Sequence, residues 1–587
     1  MRRVNVTAKL SIALASMFAG TLGLSSTAIA SSADYFQSDE AQDALPDILD
    51  KDTRNYYRSI LDAIEAEEWA KVEDLMDDRD GGLLHQVILA EYYTHANSPA
   101  VSAEQIAQWF DMGVDLPQAE QLARLGEKRG LTDTPRLPSA QPFRRQAWQT
   151  KRVLPSSISD GTMPAEVSSA ILERIRNDDP DGARLLLDGV DATLSPEARA
   201  EWRQRVAWSY YIENQDAAAL GMALTVAEGS GPWVAEGEWV VGLASWRLGD
   251  CANAAGGFSR AAYTSTNEEL TAAAHYWAHR ALIRCRQPGE AERQLRAASG
   301  RTKTLYGMLA LEQLGQEQPD ARRANDLTRN DWRRLERVTN ARIAAALVEI
   351  GAEDLAGEVI RHQAQIGNPS DFEALSRLAR RLGLPQTQLW LARAAPSGAR
   401  SDDMLQYPVA RYAPADGWKV DPALAFAHAL QESGFRTSAV SPANARGLMQ
   451  ITPITVRQHA DRLEMNASYV NLDDPSVNLS FGQRNLEMLR DSYATRNNLP
   501  KIMAAYNAGL APITRWNEEV NDQGDPLLYM ESIPYWETRS YVAIVMRNYW
   551  MYEMQADVDT SPSRVTLAQN DWPEFPEAPR NARLGAR

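Results

Sequence analysis

The stretch PALAFAHALQESGF, residues 422–435, decides how the C-terminal part of this chain folds. Asp421 and Pro422 are residue types that begin helices, because an aspartate side chain accepts a hydrogen bond from a free backbone N–H and a proline suits the first helical position. The ten residues before Glu432 carry no Asp, Glu, Lys or Arg, which predicts a helix buried almost all round. Gly434 favours the left-handed conformation that ends a helix. The sequence therefore predicts a buried helix whose last turn holds one carboxylate.

That carboxylate, Glu432, has the surroundings of a general acid. Burial disfavours the charged form of a carboxyl group, and the negative end of a helix dipole disfavours it too. Both effects raise the pKa, so the group is held protonated near neutral pH, where it can donate a proton. The alternative is a surface glutamate at a frayed helix end, which fits poorly with an uncharged helix.

Four short motifs follow one another over about 110 residues: QESGF at 431–435, GLMQITP at 447–453, AAYNAGL at 504–510 and IPYWETRSYV at 533–542. Together and in this order they resemble the C-terminal catalytic domain of the soluble lytic transglycosylases, which is lysozyme-like. Any one of the motifs alone would be a weak signal. The resemblance implies an α+β catalytic domain preceded by a helical superhelix and a small helical linker domain.

The resemblance also implies an activity. Such enzymes are carbon–oxygen lyases that cleave the β-1,4 bond between N-acetylmuramic acid and N-acetylglucosamine in peptidoglycan, in cell-wall turnover and remodelling. The product ends in a 1,6-anhydro-muramoyl residue. One glutamate, here Glu432, first protonates the leaving oxygen and then accepts the proton of the attacking O6 hydroxyl, with help from the substrate's N-acetyl group. The expected partner is the glycan strand, and the chemistry needs no cofactor.

Six further residues are expected to contact the substrate: Ser433, Met449, Gln450, Tyr506, Asn507 and Glu537. Gly447 is expected to let the backbone approach the sugar closely. Met449 fits core packing equally well, and Tyr506 could be a core tyrosine with a satisfied hydroxyl. Ser433 could simply help to end the helix.

Glu537 and His428 each allow two interpretations. Glu537 begins a helix whose positive dipole end favours its charged form, so it could be a second catalytic carboxylate. We favour a substrate contact or a helix-start charge paired with Arg539. His428 lies one turn before Glu432 and could tune its charge, although a satisfied core histidine is the favoured interpretation.

Two other functions remain open. A muramidase of the same fold would use water and would need a second carboxylate about 5 to 9 Å from Glu432. A non-catalytic envelope scaffold would grip glycan without cleaving it, and an intact glutamate within four intact motifs argues against that. The residues do not name protein partners in the envelope.

The N-terminal part is predicted to be an array of helical hairpins. Residues 238–262 and 272–298 repeat one plan, in which an apolar helix, a turn and a second helix follow one another. Paired helices at such spacing are typical of an α-solenoid, and an irregular helical bundle is the alternative. The predicted fold class is therefore all-α dominated, with a solenoid-like superhelix, a helical linker domain and a lysozyme-like α+β domain.

Composition shifts and proline-rich breaks divide the chain into five predicted parts. These are a signal peptide at 1–30, a superhelical domain at 31–330, a linker domain at 331–405, a catalytic domain at 406–555 and an extended tail at 556–587.

The first 30 residues have the features of a secretory signal peptide. Arg2, Arg3 and Lys9 precede an uncharged apolar run at 10–24, and small residues follow, which places the cut after Ala30. The run is short for a membrane span of about 20 residues, although an uncleaved anchor is the alternative. No other segment approaches that length, so we expect a periplasmic protein that does not span the membrane.

The only two cysteines, Cys251 and Cys285, are expected to form a disulfide, because an exported chain meets an oxidising compartment. Cys251 opens the second helix of one hairpin and Cys285 closes the first helix of the next, so both fall on one edge of a stacked array. Two buried free thiols are the alternative.

The net charge and the spacing of the histidines and cysteines argue against two further kinds of function. The chain has 587 residues and a formal net charge of −17, which argues against a nucleic-acid partner. Its seven histidines and two cysteines show no metal-ligand spacing, and no phosphate-binding glycine loop is present. The sequence therefore predicts neither a metal site nor a cofactor.

Overall fold

The computed structural model describes residues 45–79, 81–319, 325–556, 558 and 560–576. The predicted signal peptide lies outside these residues. Within them the chain is mostly helical, which confirms the predicted fold class. No helix of the described part is long and apolar enough to cross a membrane.

The helices fall into four groups along the chain. The first group is α1 (Lys51–Glu65), α2 (Trp69–Asp77), α3 (His85–Thr94), α4 (Ala103–Asp111) and α5 (Ala119–Lys128). The second is α6 (Ala165–Arg176), α7 (Pro180–Asp188), α8 (Pro196–Ile212), α9 (Asp216–Leu224), α10 (Trp233–Arg247), α11 (Cys251–Thr264), α12 (Glu268–Arg284), α13 (Pro288–Ser299) and α14 (Leu305–Gln313). The third is α15 (Arg329–Leu335), α16 (Thr339–Glu349), α17 (Glu353–Ile366), α18 (Phe372–Arg381) and α19 (Pro385–Arg393). The fourth is α20 (Pro422–Glu432), α21 (Pro453–His459), α22 (Pro475–Arg490), α23 (Leu499–Ala508), α24 (Leu510–Glu519), α25 (Pro526–Ser532), α26 (Trp536–Gln555) and α27 (Pro562–Ala568).

A two-stranded antiparallel sheet joins the first half of the chain to the second. Strand β1 (Phe143–Arg145) pairs with β2 (Ala394–Pro396), with Phe143 opposite Pro396. Within the fourth group of helices, β structure is limited to isolated bridges, such as the one between Arg446 and Ile451. The β part of the predicted α+β domain is therefore small.

The first hydrophobic core unites the first and third groups of helices. Buried residues from 49 to 122 pack with buried residues from 332 to 395. The Glu349 carboxylate fixes one edge of this contact, because it accepts the backbone N–H groups of Ile48 and Leu49 at 2.6 and 3.0 Å. The packing thus crosses the predicted boundary at residue 330, and the predicted domain bounds remain predictions.

The second hydrophobic core unites the second and fourth groups. It runs from Ile171 to Phe575 and holds the helix α20. A buried ion pair joins the two groups of helices within this core: Arg547 of α26 donates to Glu269 of α12 at 2.7 Å. Helices α6–α14, here called the superhelical segment, and the fourth group of helices, which carries Glu432, therefore share one core.

The predicted hairpins are present in the second group. Helix α10 ends at Arg247 and α11 begins at Cys251, with the predicted turn between them. The two helices approach closely, since a Cβ at Gly257 would meet the backbone of Gly242 at 2.7 Å. Cys251 and Cys285 form a disulfide across neighbouring hairpins, with their Cα atoms 5.6 Å apart.

The prediction of an extended tail is wrong for residues 560–576. Ser561 caps α27 and Pro562 is its first residue, a start signal of the same kind as Asp421 and Pro422. Trp550 donates to the Ser563 hydroxyl at 2.9 Å, and Phe575 is buried in the second core. The end of the chain is thus part of the folded body as far as residue 576.

Candidate active site

Helix α20 carries the candidate acid and has the predicted bounds. Asp421 accepts the N–H of Ala423 at 2.9 Å and so caps the first turn. Glu432 is the last helical residue, and Gly434 follows with φ of 60°. The Ser433 hydroxyl donates to the Ala429 carbonyl at 3.2 Å, so this side chain is used to end the helix.

The Glu432 carboxyl is partly buried and has one hydrogen-bond partner among the described residues. The Tyr541 hydroxyl of α26 donates to its Oε1 at 2.6 Å. Burial raises the pKa of Glu432 to about 7; the Tyr541 hydrogen bond lowers it and the charge of Glu537 raises it. A substantial fraction of Glu432 is therefore protonated at neutral pH, and Oε2 stays open for proton transfer.

Tyr506 lies close to this carboxyl, but its hydroxyl donates to the Met449 carbonyl at 2.8 Å. Burial and the charge of Glu432 raise its pKa well above the ordinary value. The Tyr506 hydroxyl is therefore a neutral donor, held by a backbone acceptor in the absence of substrate.

His428 is fully buried behind the site. Its Nδ1 donates to the Leu424 carbonyl at 2.9 Å, and its ring centroid is 4.8 Å from that of Tyr506 and 6.1 Å from that of Tyr541. Burial lowers its pKa to about 4, so the imidazole is neutral at neutral pH. No described residue bonds to its Nε2, so this histidine is a core residue that is only half satisfied.

The loop that carries Gly447 is held by Asn478. Gly447 has φ of 73°, and a Cβ there would collide with the Asn478 amide and the Leu472 carbonyl. Close packing within the protein therefore requires a glycine here, and the close approach of a sugar stays a prediction. Asn478 also accepts the N–H of Met449 at 2.8 Å.

Met449 and Gln450 have different surroundings. Met449 is fully buried, and a Cβ at Gly482 would collide with its sulfur, so its side chain belongs to the core. Gln450 is half-buried, and its amide donates to the Gly447 carbonyl at 3.0 Å. Gln450 is thus the one of the two that reaches the surface.

Asn507 and Glu537 lie at the two helix ends that meet near the acid. Asn507 accepts from the Thr538 hydroxyl at 2.6 Å, which joins α23 to α26. Glu537 is exposed in the first turn of α26. The suggested pair between Glu537 and Arg539 is wrong, because residues two apart on a helix do not face each other and Arg539 donates to the Ile533 carbonyl instead.

Sequence reasoning missed Tyr541 and Asn478. Tyr541 stands within the fourth motif, and Asn478 follows the helix start at Asp474 and Pro475. Their residue types gave no sign of what they contact, since Tyr541 and Glu432 are 109 residues apart.

The described residues contain no group of three or more His, Cys, Asp or Glu side chains that could hold a metal ion. The donors near Glu432 are hydroxyls and amides. Such groups can bind neutral sugars by hydrogen bonds.

A family model matches the C-terminal part of the chain, and curated relatives align with about a fifth of it. Residues 412–528 match the family model described as the transglycosylase SLT domain. A putative soluble lytic murein transglycosylase of Haemophilus influenzae is 35% identical over 131 residues, which are 22% of this chain and 22% of that protein. The soluble lytic murein transglycosylase of Escherichia coli K12 is 34% identical over 133 residues, 22% of this chain and 20% of that protein. The aligned part thus spans about a fifth of these relatives.

Two solved structures share the fold of most of the chain. The crystal structure of the 70 kDa soluble lytic transglycosylase of E. coli covers 89% of this chain and 99% of that one, with a TM-score of 0.52 at 17% identity. An inactive glutamate-to-glutamine mutant of the lytic transglycosylase Slt of Pseudomonas aeruginosa covers 86% and 82%, with a TM-score of 0.50 at 19% identity. The resemblance to the soluble lytic transglycosylases that four motifs indicated is thereby confirmed, by sequence over residues 412–528 and by fold over most of the chain.

Proposed function

We propose that this protein is a lytic transglycosylase of peptidoglycan in which Glu432 is the single acid and base. The observation that carries the proposal is the partly buried Glu432 carboxyl, whose pKa burial raises to about 7 and whose Oε1 is held by Tyr541. The match of residues 412–528 to the transglycosylase SLT domain supports the substrate class.

In the first step, protonated Glu432 gives its proton to the glycosidic oxygen while the bond from that oxygen to the muramoyl C1 breaks. The leaving N-acetylglucosamine takes the bonding electron pair and the proton. The positive charge that develops at C1 is stabilised by the substrate's own N-acetyl oxygen. Glu432 is left as a carboxylate, which the Tyr541 hydroxyl stabilises by its hydrogen bond.

In the second step, the O6 hydroxyl of the same muramoyl residue attacks C1 and its proton passes to Glu432. A new O6–C1 bond forms the 1,6-anhydro ring, and the glutamic acid is restored without consumption of water. A lone carboxylate suffices for both steps because the nucleophile belongs to the sugar.

The remaining predicted contacts divide by their surroundings. Four of them can reach a glycan: half-buried Gln450, Tyr506 and Asn507, and exposed Glu537. The other two, Met449 and Ser433, support the site from within the fold. The Tyr506 hydroxyl would exchange the Met449 carbonyl for the substrate's N-acetyl oxygen. We further propose that the protein acts in the periplasm on cell-wall glycan strands.

The experiment compares purified wild type with Glu432→Gln on isolated sacculi, with mass spectrometry of the released sugars. Wild type should release anhydro-muropeptides. Glu432→Gln should still bind sacculi in a pull-down, because the amide keeps the shape of the side chain. Its turnover should fall by about 10² to 10⁴-fold or more, because the amide cannot deliver a proton. The matched control is Glu518→Gln, which changes an exposed glutamate on α24 and should keep full activity.

Two outcomes contradict the proposal. Release of sugars with reducing ends would mean that water is the nucleophile, and the charge of Glu537 close to Glu432 makes Glu537 the second carboxylate to test in that case. Near-normal activity of Glu432→Gln would place the acid elsewhere.

A further inference from the structure

The first two turns of α26 support the candidate acid. Tyr541 donates to Glu432, Thr538 donates to Asn507, and the charge of Glu537 acts on Glu432. The position of this helix end therefore sets the geometry at Glu432. Whatever fixes the start of α26 also fixes the site.

On the side of α26 turned away from the acid, Arg539 anchors this helix end. Its side chain is only 7% exposed and donates through Nε and Nη2 to the Ile533 carbonyl at 3.1 and 2.9 Å. Its guanidinium lies over two indole rings, at 4.1 Å from the centroid of Trp208 and 5.2 Å from that of Trp536. No described carboxylate forms an ion pair with it. A buried cation held in this way depends on the aromatic faces that cover it.

Trp208 belongs to α8 in the superhelical segment, far from the catalytic motifs in the chain. It is half-buried and stacks with Tyr211 at 5.2 Å between ring centroids. The Tyr211 hydroxyl in turn bonds the Ser532 hydroxyl at 2.8 Å, just before the start of α26. Two side chains of α8 thus reach the chain around the start of α26: Trp208 contacts Arg539 in its first turn, and Tyr211 contacts Ser532 at the end of α25.

We propose that Trp208 is a positioning residue for the reaction, which acts by holding Arg539 and with it the Tyr541 hydroxyl against Glu432. The superhelical segment therefore contributes to turnover through one aromatic face. This inference rests on the proposed function, and nothing in the family match at 412–528 includes either Trp208 or Arg539.

The expected effect lies in turnover and in its pH dependence. Trp208→Leu keeps an apolar side chain but removes the ring face, so α26 loses a fixed start and Tyr541 is less well placed. We expect kcat to fall by about tenfold to a hundredfold, with KM changed by less than about twofold. The Tyr541 hydrogen bond lowers the pKa of Glu432, so its weakening should move the alkaline limb of the kcat profile to higher pH.

Several charged and titratable groups face Glu432 and Arg539, and Trp208→Leu replaces none of them. Around Glu432 they are Glu537 and Tyr541 from α26, Tyr506 from α23 and neutral His428 from α20 itself. Around Arg539 they are Glu531, Arg152, Tyr211 and Glu236. Glu537 begins the same helix, and its retreat would lower the pKa of Glu432, so a shift of the alkaline limb to higher pH is assigned to the changed position of Tyr541.

The assay follows the rate of strand cleavage on soluble, uncross-linked glycan strands, whichever end group forms. The matched control is Trp69→Leu, a half-buried tryptophan of the first core that stacks with Tyr92 at 5.8 Å. Trp208→Phe keeps a smaller ring face and should lose only a few-fold in kcat, with a limb shift in the same direction. This variant carries the test if Trp208→Leu does not fold.

Loss of kcat with an unmoved alkaline limb would overturn the proposal, and so would a loss no larger than that of the control. A wild type that cleaves strands but forms reducing ends would overturn the proposed transglycosylase reaction and leave the Trp208 comparison intact. The two ideas can therefore fail separately.

Discussion

The two hydrophobic cores differ in how their distant segments are joined. In the first core, helices α1–α5 meet α15–α19 through apolar side chains and through the Glu349 carboxylate, which caps the backbone at Ile48 and Leu49. In the second, arginines cross between the two groups of helices: buried Arg547 is bonded to Glu269, and half-buried Arg280 is bonded to Asp525. Buried ion pairs need close geometry to offset the loss of hydration. The contact between the second and fourth groups of helices, which carries the candidate site, therefore depends more on exact side-chain geometry than the contact within the first core does.

This difference can be tested with the two cores as internal controls for each other. If they unfold as separate cooperative units, a calorimetric scan should show two transitions. Changes in the second core should then move one transition and leave the other in place.

The largest effect is expected for Arg547→Met. It leaves the carboxyl of Glu269 buried without its cation, so the free energy of unfolding of the second core should fall by about 3–5 kcal/mol. The measurement is the shift of each transition in the scan. Equal shifts in both would show that the cores unfold as one unit.

The next effect is expected for the double change Cys251→Ser and Cys285→Ser. The bond closes a loop between positions 34 apart in sequence, so its loss should destabilise the second core by about 3–4 kcal/mol in the chain-entropy model. Denaturant titration of the variant against unreduced wild type measures this. A first-core transition that moves by the same amount would contradict it.

The smallest effect is expected for Glu432→Gln, which should raise the stability of the protein at neutral pH although it removes the activity. Burial raises the pKa of Glu432 to about 7 from 4.5, so between these pH values the unfolded chain gives up a proton that the folded protein keeps. Stability is therefore lost as the pH rises through this window, by about 2–3 kcal/mol. Glu432→Gln should lack this loss and be more stable than wild type at pH 7, while at pH 4 the two should be alike.

Thermal melts of both proteins from pH 4 to pH 8 check this expectation. A variant that is less stable than wild type at pH 7 would contradict the assignment of burial as the cause of the raised pKa of Glu432. The same melts report the first core, which should respond identically in both proteins.

Local signals in the sequence predicted the local structure well. Asp421, Pro422 and Gly434 predicted the bounds of α20. These residues act through the backbone next to them, so their meaning can be read without the fold. Ser561 and Pro562 carried the same kind of signal, which was overlooked.

Contacts between distant segments could not be predicted. Nothing in the residue types of Tyr541 or Trp208 states which group each one meets, because that depends on how helices far apart in sequence pack. Gly447 shows the same limit: its positive φ suits a glycine, but the Asn478 amide that excludes a side chain there follows only from the fold. The third group of helices packs with α1–α5 in the first core, a contact that no residue type in the predicted linker domain indicated.

The pairing of β1 with β2 has a consequence for the order in which the protein is made. When the ribosome has produced α1–α5, the apolar faces around Ile60 and Trp109 still lack their partners, which are encoded near residues 332–395. Meanwhile the hairpins of α6–α14 can pack on their neighbours as they emerge. Helices α1–α5 must therefore wait about two hundred residues for the rest of their core, and the strand at Phe143 can pair only when Pro396 arrives. Helices α1–α5 thus keep apolar surface exposed while the hairpins of α6–α14 already pack on one another, and this makes them the aggregation-prone part of the chain at that stage.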